Sequence, residues 1–174
     1  HCSVRRQRQM CIRDRSECLD LDRPVFMGCS VGGLLALDLA CRHPDKFDSV
    51  ISVEGALNIE GNLEGMQEMW HPQVSSDYKA RAMEGLIAPG SPIEFKKETG
   101  FVYSSAWPAA FLGDLTYYIE DFDIRNLASE IDTDLTSVHI LSGEYDWSGK
   151  SELGCEAHET VSYTHLTLPT NGTV

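Results

Sequence analysis

No stretch of the 174 residues holds the roughly 20 consecutive apolar side chains that a bilayer-spanning helix requires. The opening residues, HCSVRRQRQMCIRDR, also lack the apolar centre of a secretory signal. Basic residues are scarce as well: 14 Lys and Arg stand against 27 Asp and Glu, a formal net charge of -13. Such a balance argues against a polyanionic partner, so neither nucleic acid nor an acidic membrane surface is expected. The six cysteines, Cys2, Cys11, Cys18, Cys29, Cys41 and Cys155, form no C-x-x-C pair and show no His spacing of a zinc site. No metal and no cofactor is expected, and reduced thiols in a cytoplasmic protein are the default reading. Internal repeats and low-complexity tracts are missing too. What is present, 42% hydrophobic and 24% charged residues in a chain of one-domain length, is the composition of a globular protein.

The few basic residues are oddly placed. Arg5, Arg6, Arg8, Arg13 and Arg15 crowd into the first fifteen positions. A nucleic-acid-binding arm is one reading of such a cluster. A second feature favours another. Codons can be chosen so that Val161 to Thr170, VSYTHLTLPT, are encoded by the reverse complement of the DNA for Arg5 to Asp14, RRQRQMCIRD. The pairing holds in frame, Val161 with Asp14, Tyr163 with Ile12, His165 with Met10, and continues outward to Val174 with His1. Selection on a protein gives no reason for that relation. The inner part of the repeat resembles the translated mosaic end of a transposase-based sequencing adapter, read on opposite strands at the two ends. On this expectation 1–15 and 161–174 are adapter-derived, and the insert, Ser16 to Glu159, is an internal fragment of a longer protein. Without the ends, 9 basic and 26 acidic residues remain, and the insert carries -17. The Thr and Val content of the tail still favours an extended strand.

The insert reads as strand, turn, helix, strand, a helical stretch, and strand. Pro24 to Met27 is a short apolar run of the kind covered on both faces of a sheet. Leu34 to Arg42 reads as a helix apolar nearly all round, with Asp38 and Arg42, four apart, able to pair. Pro44 stops it, and Ser49 to Val53, SVISV, is a second β-branched run. Strand, helix and strand at this spacing form a βαβ unit with parallel strands. From 57 to 134 the texture turns to amphipathic segments broken by Gly and Pro. Ser91, Pro92 and Glu94 predict a capping box with proline at the first helical position. Trp107 to Ile119, WPAAFLGDLTYYI, either packs as core or faces a ligand; packing is the first use of aromatics. Ser137 to Ser142, SVHILS, is a third strand, followed by GEYDW.

Between the first strand and the helix stands GCSVGG, which satisfies G-x-S-x-G through Gly28, Ser30 and Gly32. The bare pattern is weak, but its position is not. A serine in a sharp turn from a strand into a buried helix takes strained backbone angles, and its neighbours two positions away must lack a Cβ for the turn to close. Gly28 and Gly32 meet that demand. The turn lifts the Ser30 hydroxyl clear of the sheet, and the N–H of Val31 at the helix N-terminus forms half of an oxyanion hole. Cys29 is expected to point away into the core.

Arg23 to Ala56 resembles the nucleophile elbow and following strand of the α/β-hydrolase superfamily, and Ser137 to Trp147 resembles its later strand and acid loop. The resemblance implies an α/β fold, here a partial one. Parallel strands carry flanking helices and a helical lid, and the early strands and the final strand are missing. Its segments are hydrolase core over 16–56, cap over 57–134 and core with acid loop over 135–160. It also implies a Ser, acid, His triad in that chain order, a serine hydrolase of carboxylester type, and a small-molecule ester or related acyl substrate. By position Asp146 matches the acid, with Glu144 and Glu54 as competitors; alternatively Asp146 merely caps a turn. The histidine is the departure. His158 falls only twelve positions past Asp146, on an intervening helix, and His165 lies in the adapter-like tail, so neither is assigned. His43 and His71 stand beside helix-breaking prolines, where a partial positive charge is welcome, and His139 lies within a strand. The fragment is therefore expected to be inactive, and a non-catalytic ligand- or partner-binding relative is the alternative reading.

Overall fold

The computed structural model describes residues 4–61, 63, 75–143, 151–160 and 164–168. It divides into a sheet unit, built from residues through Glu60 and again from Tyr117, and a helical unit between them, Gly61–Thr116.

The sheet unit holds four parallel strands in the order β1 (Phe26–Cys29), β2 (Ser49–Val53), β3 (Ser137–Gly143) and β4 (Thr164–Leu168). Sequence order equals spatial order, so every connection crosses over in the same direction along the sheet. β2 and β3 lie where their β-branched runs place them. β1 starts two residues later than Pro24 and runs to Cys29, because its pairing begins at Phe26 opposite Val50 and ends at Cys29 opposite Val53. It is also covered on one face only. Phe26 meets Phe47 edge to face at 6.0 Å, whereas Met27, 62% exposed, shows that the alternate face of this edge strand is bare. β4 pairs along β3 from His139 opposite Thr164 to Gly143 opposite Leu168. The position beside β3 is thus filled by the Thr-rich tail. Backbone hydrogen bonds carry no sequence, so an open β3 edge accepts an extended segment of adequate β propensity.

Helix α2 (Val31–Arg42) follows the elbow and is buried from Gly33 to Ala40. Leu34, Leu37, Leu39, Val50, Phe122 and Ile140 form the centre of the core beneath it. The polar pair on α2 forms as its spacing predicts, with Arg42 Nε donating to Asp38 Oδ1 at 2.7 Å. Asp38 is wholly buried, however, and also accepts from Gln9 Nε2 of helix α1 (Val4–Cys18). α1 lies against α2, and its Ile12 packs on the core. Because Asp38 has no solvent to fall back on, Arg42→Met is expected to destabilise the chain by about 3 kcal/mol in urea denaturation, the low end for an orphaned buried charge since Arg42 is partly exposed. A leucine replacing Asp38 together with Arg42→Met should recover most of that loss.

Tyr117 and Tyr118 begin a π-helical turn, Tyr117–Asp121, and are buried in the sheet unit; Tyr117 and Phe122 approach to 5.8 Å. Of the aromatic run 107–119, these two residues are core, while Trp107 is 73% exposed. The helical unit contains α3 (Ser75–Leu86), α4 (Ile93–Ser105) and α5 (Pro108–Thr116), with α3 packed on α4. The capping box at Ser91 does not form. Pro92 has extended ψ, 138°, and is itself the N-cap, with its carbonyl accepting from Phe95 N at 3.1 Å and no side chain capping the helix. A last helix, α6 (Ser151–Thr160), precedes β4. No described helix is long and apolar enough to cross a membrane.

Candidate active site

Ser30 sits at the corner between β1 and α2 with φ 55° and ψ -119°, a left-handed backbone that a residue with a Cβ adopts only when its surroundings force it. The forcing contacts are visible. Ser30 N donates to Val53 O at 2.9 Å, tying the corner to the end of β2, while Ser30 O accepts from Gly33 N at 2.8 Å and Leu34 N at 3.1 Å and starts the helix. Val31 follows as the first helical residue, where an α-helix leaves its N–H groups without intrahelical partners. Ser30 and Val31 are both partly exposed. A hydroxyl on the strained corner, with a free helix N-terminus one residue on, is an arrangement for attack on a carbonyl carbon and stabilisation of the resulting oxyanion.

The glycines divide differently from expectation. A Cβ on Gly28 meets the carbonyl oxygen of Gly32 at 2.1 Å, so Gly28 is sterically required. A Cβ on Gly32 meets nothing within 4 Å among the described residues. The second required glycine is Gly33, whose Cβ falls 2.4 Å from Val53 O. The reason is direction: position 32 turns its Cα hydrogen outward, and position 33 presses the first turn of α2 onto the end of β2. There Ser52 Oγ donates to Gly33 O at 2.9 Å, and a Cβ on Gly55 meets that same Oγ at 1.8 Å. Ser52, Gly33 and Gly55 therefore brace the corner. A signal for Ser52 existed, since it is a polar residue between Ile51 and Val53 in a β-branched run, two positions from the buried Val50.

Cys29 does not enter the core. It is exposed, on the same bare face of β1 as Met27, and its Sγ lies 3.6 Å from Glu54 Oε2. Glu54 follows β2 with φ 57°, and its N donates to Leu141 O at 2.8 Å, so the structure brings this competitor acid beside the elbow. Asp146 and Glu144 lie outside the described residues. β3 runs parallel to β1 and β2 and ends at Gly143, so its C-terminal end lies on the same side of the sheet as the end of β1 that leads into Ser30. His71 also lies outside the described residues. His158 falls within α6 and His165 within β4. His43 is the C-cap of α2, its N donating to Leu39 O at 2.8 Å. Instead of a welcome cation, its imidazole is held toward the neutral form, because burial and then the charge of Arg13 lower its pKa. Among the described residues no group of three or more His, Cys, Asp or Glu is placed to hold a metal ion.

Cys41 on α2 contrasts with Cys29. Burial, followed by the Asp38 carboxylate, pushes its thiol up to about 12. In the native chain at pH 8, iodoacetamide is expected to alkylate Cys29 at least about 100-fold faster than Cys41, read by peptide mass mapping. Equal rates would show that α2 does not hold Cys41 under cover.

Comparison with solved structures decides the fold. A hydrolase from Pseudomonas aeruginosa superposes with a TM-score of 0.80 at 17% identity, over 96% of this chain and 64% of its own. The chain has the α/β-hydrolase fold. An enol-lactonase from Burkholderia xenovorans gives 0.72 at 21% identity, over 94% of this chain and 64% of its own. A thermophilic esterase from Thermogutta terrifontis gives 0.77 at 15% identity, over 91% and 61%. A family model described as alpha/beta hydrolase fold matches residues 11–85, the stretch that contains β1, the Ser30 corner, α2 and β2. No curated protein matches the chain in sequence. The chain spans about 64% of the length of the first of these α/β hydrolases.

Proposed function

We propose that the chain is a piece of a serine hydrolase acting on small-molecule esters. The observation that carries this is the Ser30 corner: a non-glycine residue at φ 55° between a parallel strand and a buried helix, with required glycines on both sides. Strain of this kind costs on the order of 1–3 kcal/mol and clusters at active sites and ligand clamps. In the proposed reaction Ser30 Oγ attacks the ester carbonyl carbon and gives its proton to an imidazole supplied by the parent protein. The carbonyl oxygen becomes an oxyanion facing Val31 N–H. Collapse expels the alcohol, which takes the proton from the imidazolium, and water then hydrolyses the acyl-enzyme by the same route. Asp146 is assigned as the acid that orients the imidazole. Esterase and lactonase names among the structural neighbours support the ester class.

The same reading takes 1–15 and 161–174 as adapter-derived, on the strength of the in-frame inverted repeat, and 57–134 as the cap. The test is labelling of the full-length parent by a fluorophosphonate, with the modified residue located by peptide mapping. Modification of Ser30 is the expected result. A folded parent that takes no label would instead support a ligand-binding relative without catalysis.

A further inference from the structure

Alternation along the strands separates the two faces of the sheet. Val50 and Ile140 are buried on one face, where α2 packs on β1 and β2, and α6 on β3. The residues between the buried ones point the other way. Strand register aligns these in two rows, Met27, Ile51 and His139 in one and Cys29, Val53 and Leu141 in the other. Met27 and Cys29 are exposed, and the other four are partly exposed. None of the six belongs to the hydrophobic core or packs against it. Parallel sheets are stable with both faces covered, so this second face is an unfinished surface. It is also free of charge. Neither row holds Asp, Glu, Lys or Arg in a chain of net charge -13, and Glu54 borders the patch only where β2 ends.

We infer that a second copy of the 174-residue chain docks on this face, the two sheets stacking face to face about a twofold axis. Charge selects the occupant. An apolar, uncharged patch is complementary to its own copy, whereas a cationic partner, which the net charge of -13 draws elsewhere, finds no acidic group in these rows. Size sets the strength. At the usual strand spacing and rise the four strands give a footprint of roughly 300 Å² per copy. That is the scale at which apolar patches mark association sites, and it is less than a permanent interface needs. The pair is therefore weak and exchanges with the monomer. The inference stands apart from the role of Ser30, because association is read without turnover.

The experiment is sedimentation equilibrium of the 174-residue chain in reducing buffer, over roughly 1 to 200 μM to suit a weak interface. The expected result is a monomer–dimer equilibrium that stops at two, because a face that docks on its own copy is used up in the pair. Raising sodium chloride from roughly 0.05 to 0.5 M should tighten the dimer at least about threefold, since screening reduces repulsion between two acidic chains. Met27→Glu places a carboxylate on an exposed position of the patch, so the fold should be kept and the dimer weakened at least about tenfold. Val25→Glu, at an exposed position two residues earlier, decides the matter if Met27→Glu does not fold. Phe101→Glu, the same change at an exposed residue of α4, should leave the dimer unchanged. A monomer at every concentration overturns the inference and leaves the face to chain outside the 174 residues. Association that grows past two, a dimer as tight in Met27→Glu as in the parent sequence, or an equal loss in Phe101→Glu overturns it as well.

Discussion

Ser30→Ala in the full-length parent is expected to abolish fluorophosphonate labelling and to lower ester turnover by roughly three or more orders of magnitude, with thermal stability retained or slightly raised. The two parts of that expectation come from the same corner. Removing the proposed nucleophile leaves only binding and the proposed oxyanion donors to accelerate hydrolysis. The backbone at 30 stays at φ 55° because the Val53, Gly33 and Leu34 hydrogen bonds hold it, and none of them uses the hydroxyl. Retained turnover in Ser30→Ala would move the chemistry to another residue. A companion expectation concerns the 174-residue chain, which should show no ester turnover above its own Ser30→Ala control, since it carries no histidine assigned to the triad. Turnover above that control would show that a histidine within the 174 residues, His158 or His165 being the positions past Asp146, completes the site.

Gly28→Ala is expected to be the most destabilising single-methyl addition at the elbow, costing roughly 3 kcal/mol or more in chemical denaturation. Its Cβ meets backbone, Gly32 O at 2.1 Å and Gly32 C at 2.3 Å, so no side-chain rotation relieves the clash. Either β1 shifts from β2 or the first turn of α2 opens. Gly33→Ala should behave similarly against Val53 O at 2.4 Å. Gly32→Ala is the opposite case. Its Cβ meets none of the described residues within 4 Å, and within a helix alanine is favoured over glycine by about 0.5–1 kcal/mol, so this variant should be neutral to stabilising. The G-x-S-x-G pattern treats Gly28 and Gly32 alike, and denaturation of the three variants separates them. A loss for Gly32→Ala as large as that for Gly28→Ala would mean that position 32 is more crowded than its surroundings show.

Much of the sheet unit was legible because its signals are local. SVISV and SVHILS are β-branched runs bounded by turn residues, and the apolar helix between Ser30 and Pro44 has no solvent-facing stripe beyond Asp38 and Arg42. Burial of the apolar positions of α2 from Gly33 to Ala40 follows from that pattern, whereas the burial of Asp38, which the pattern places in a polar stripe, does not. The same argument failed for Cys29 and Met27. Their strand lies at the sheet edge, as the missing early strands imply, but the reading of it as covered on both faces does not hold, since Met27 and Cys29 leave one face bare and no local pattern says what packs on a strand's face. The Ser91 capping box failed for a local reason instead, since Pro92 kept an extended ψ and took the cap position itself.

Sequence by itself determined the βαβ order, the serine at its corner, and the inverted relation between the two ends, because each depends on residues close in the chain or on the coding logic of the DNA. Only the tertiary structure decided that Gly33, not Gly32, is the second glycine the corner needs, that Glu54 comes to lie beside Cys29, and that Lys79 is buried against the Ala106 carbonyl. Those outcomes depend on which backbone atoms of distant segments meet, and a close approach between residues twenty or more positions apart leaves no periodic trace in either segment.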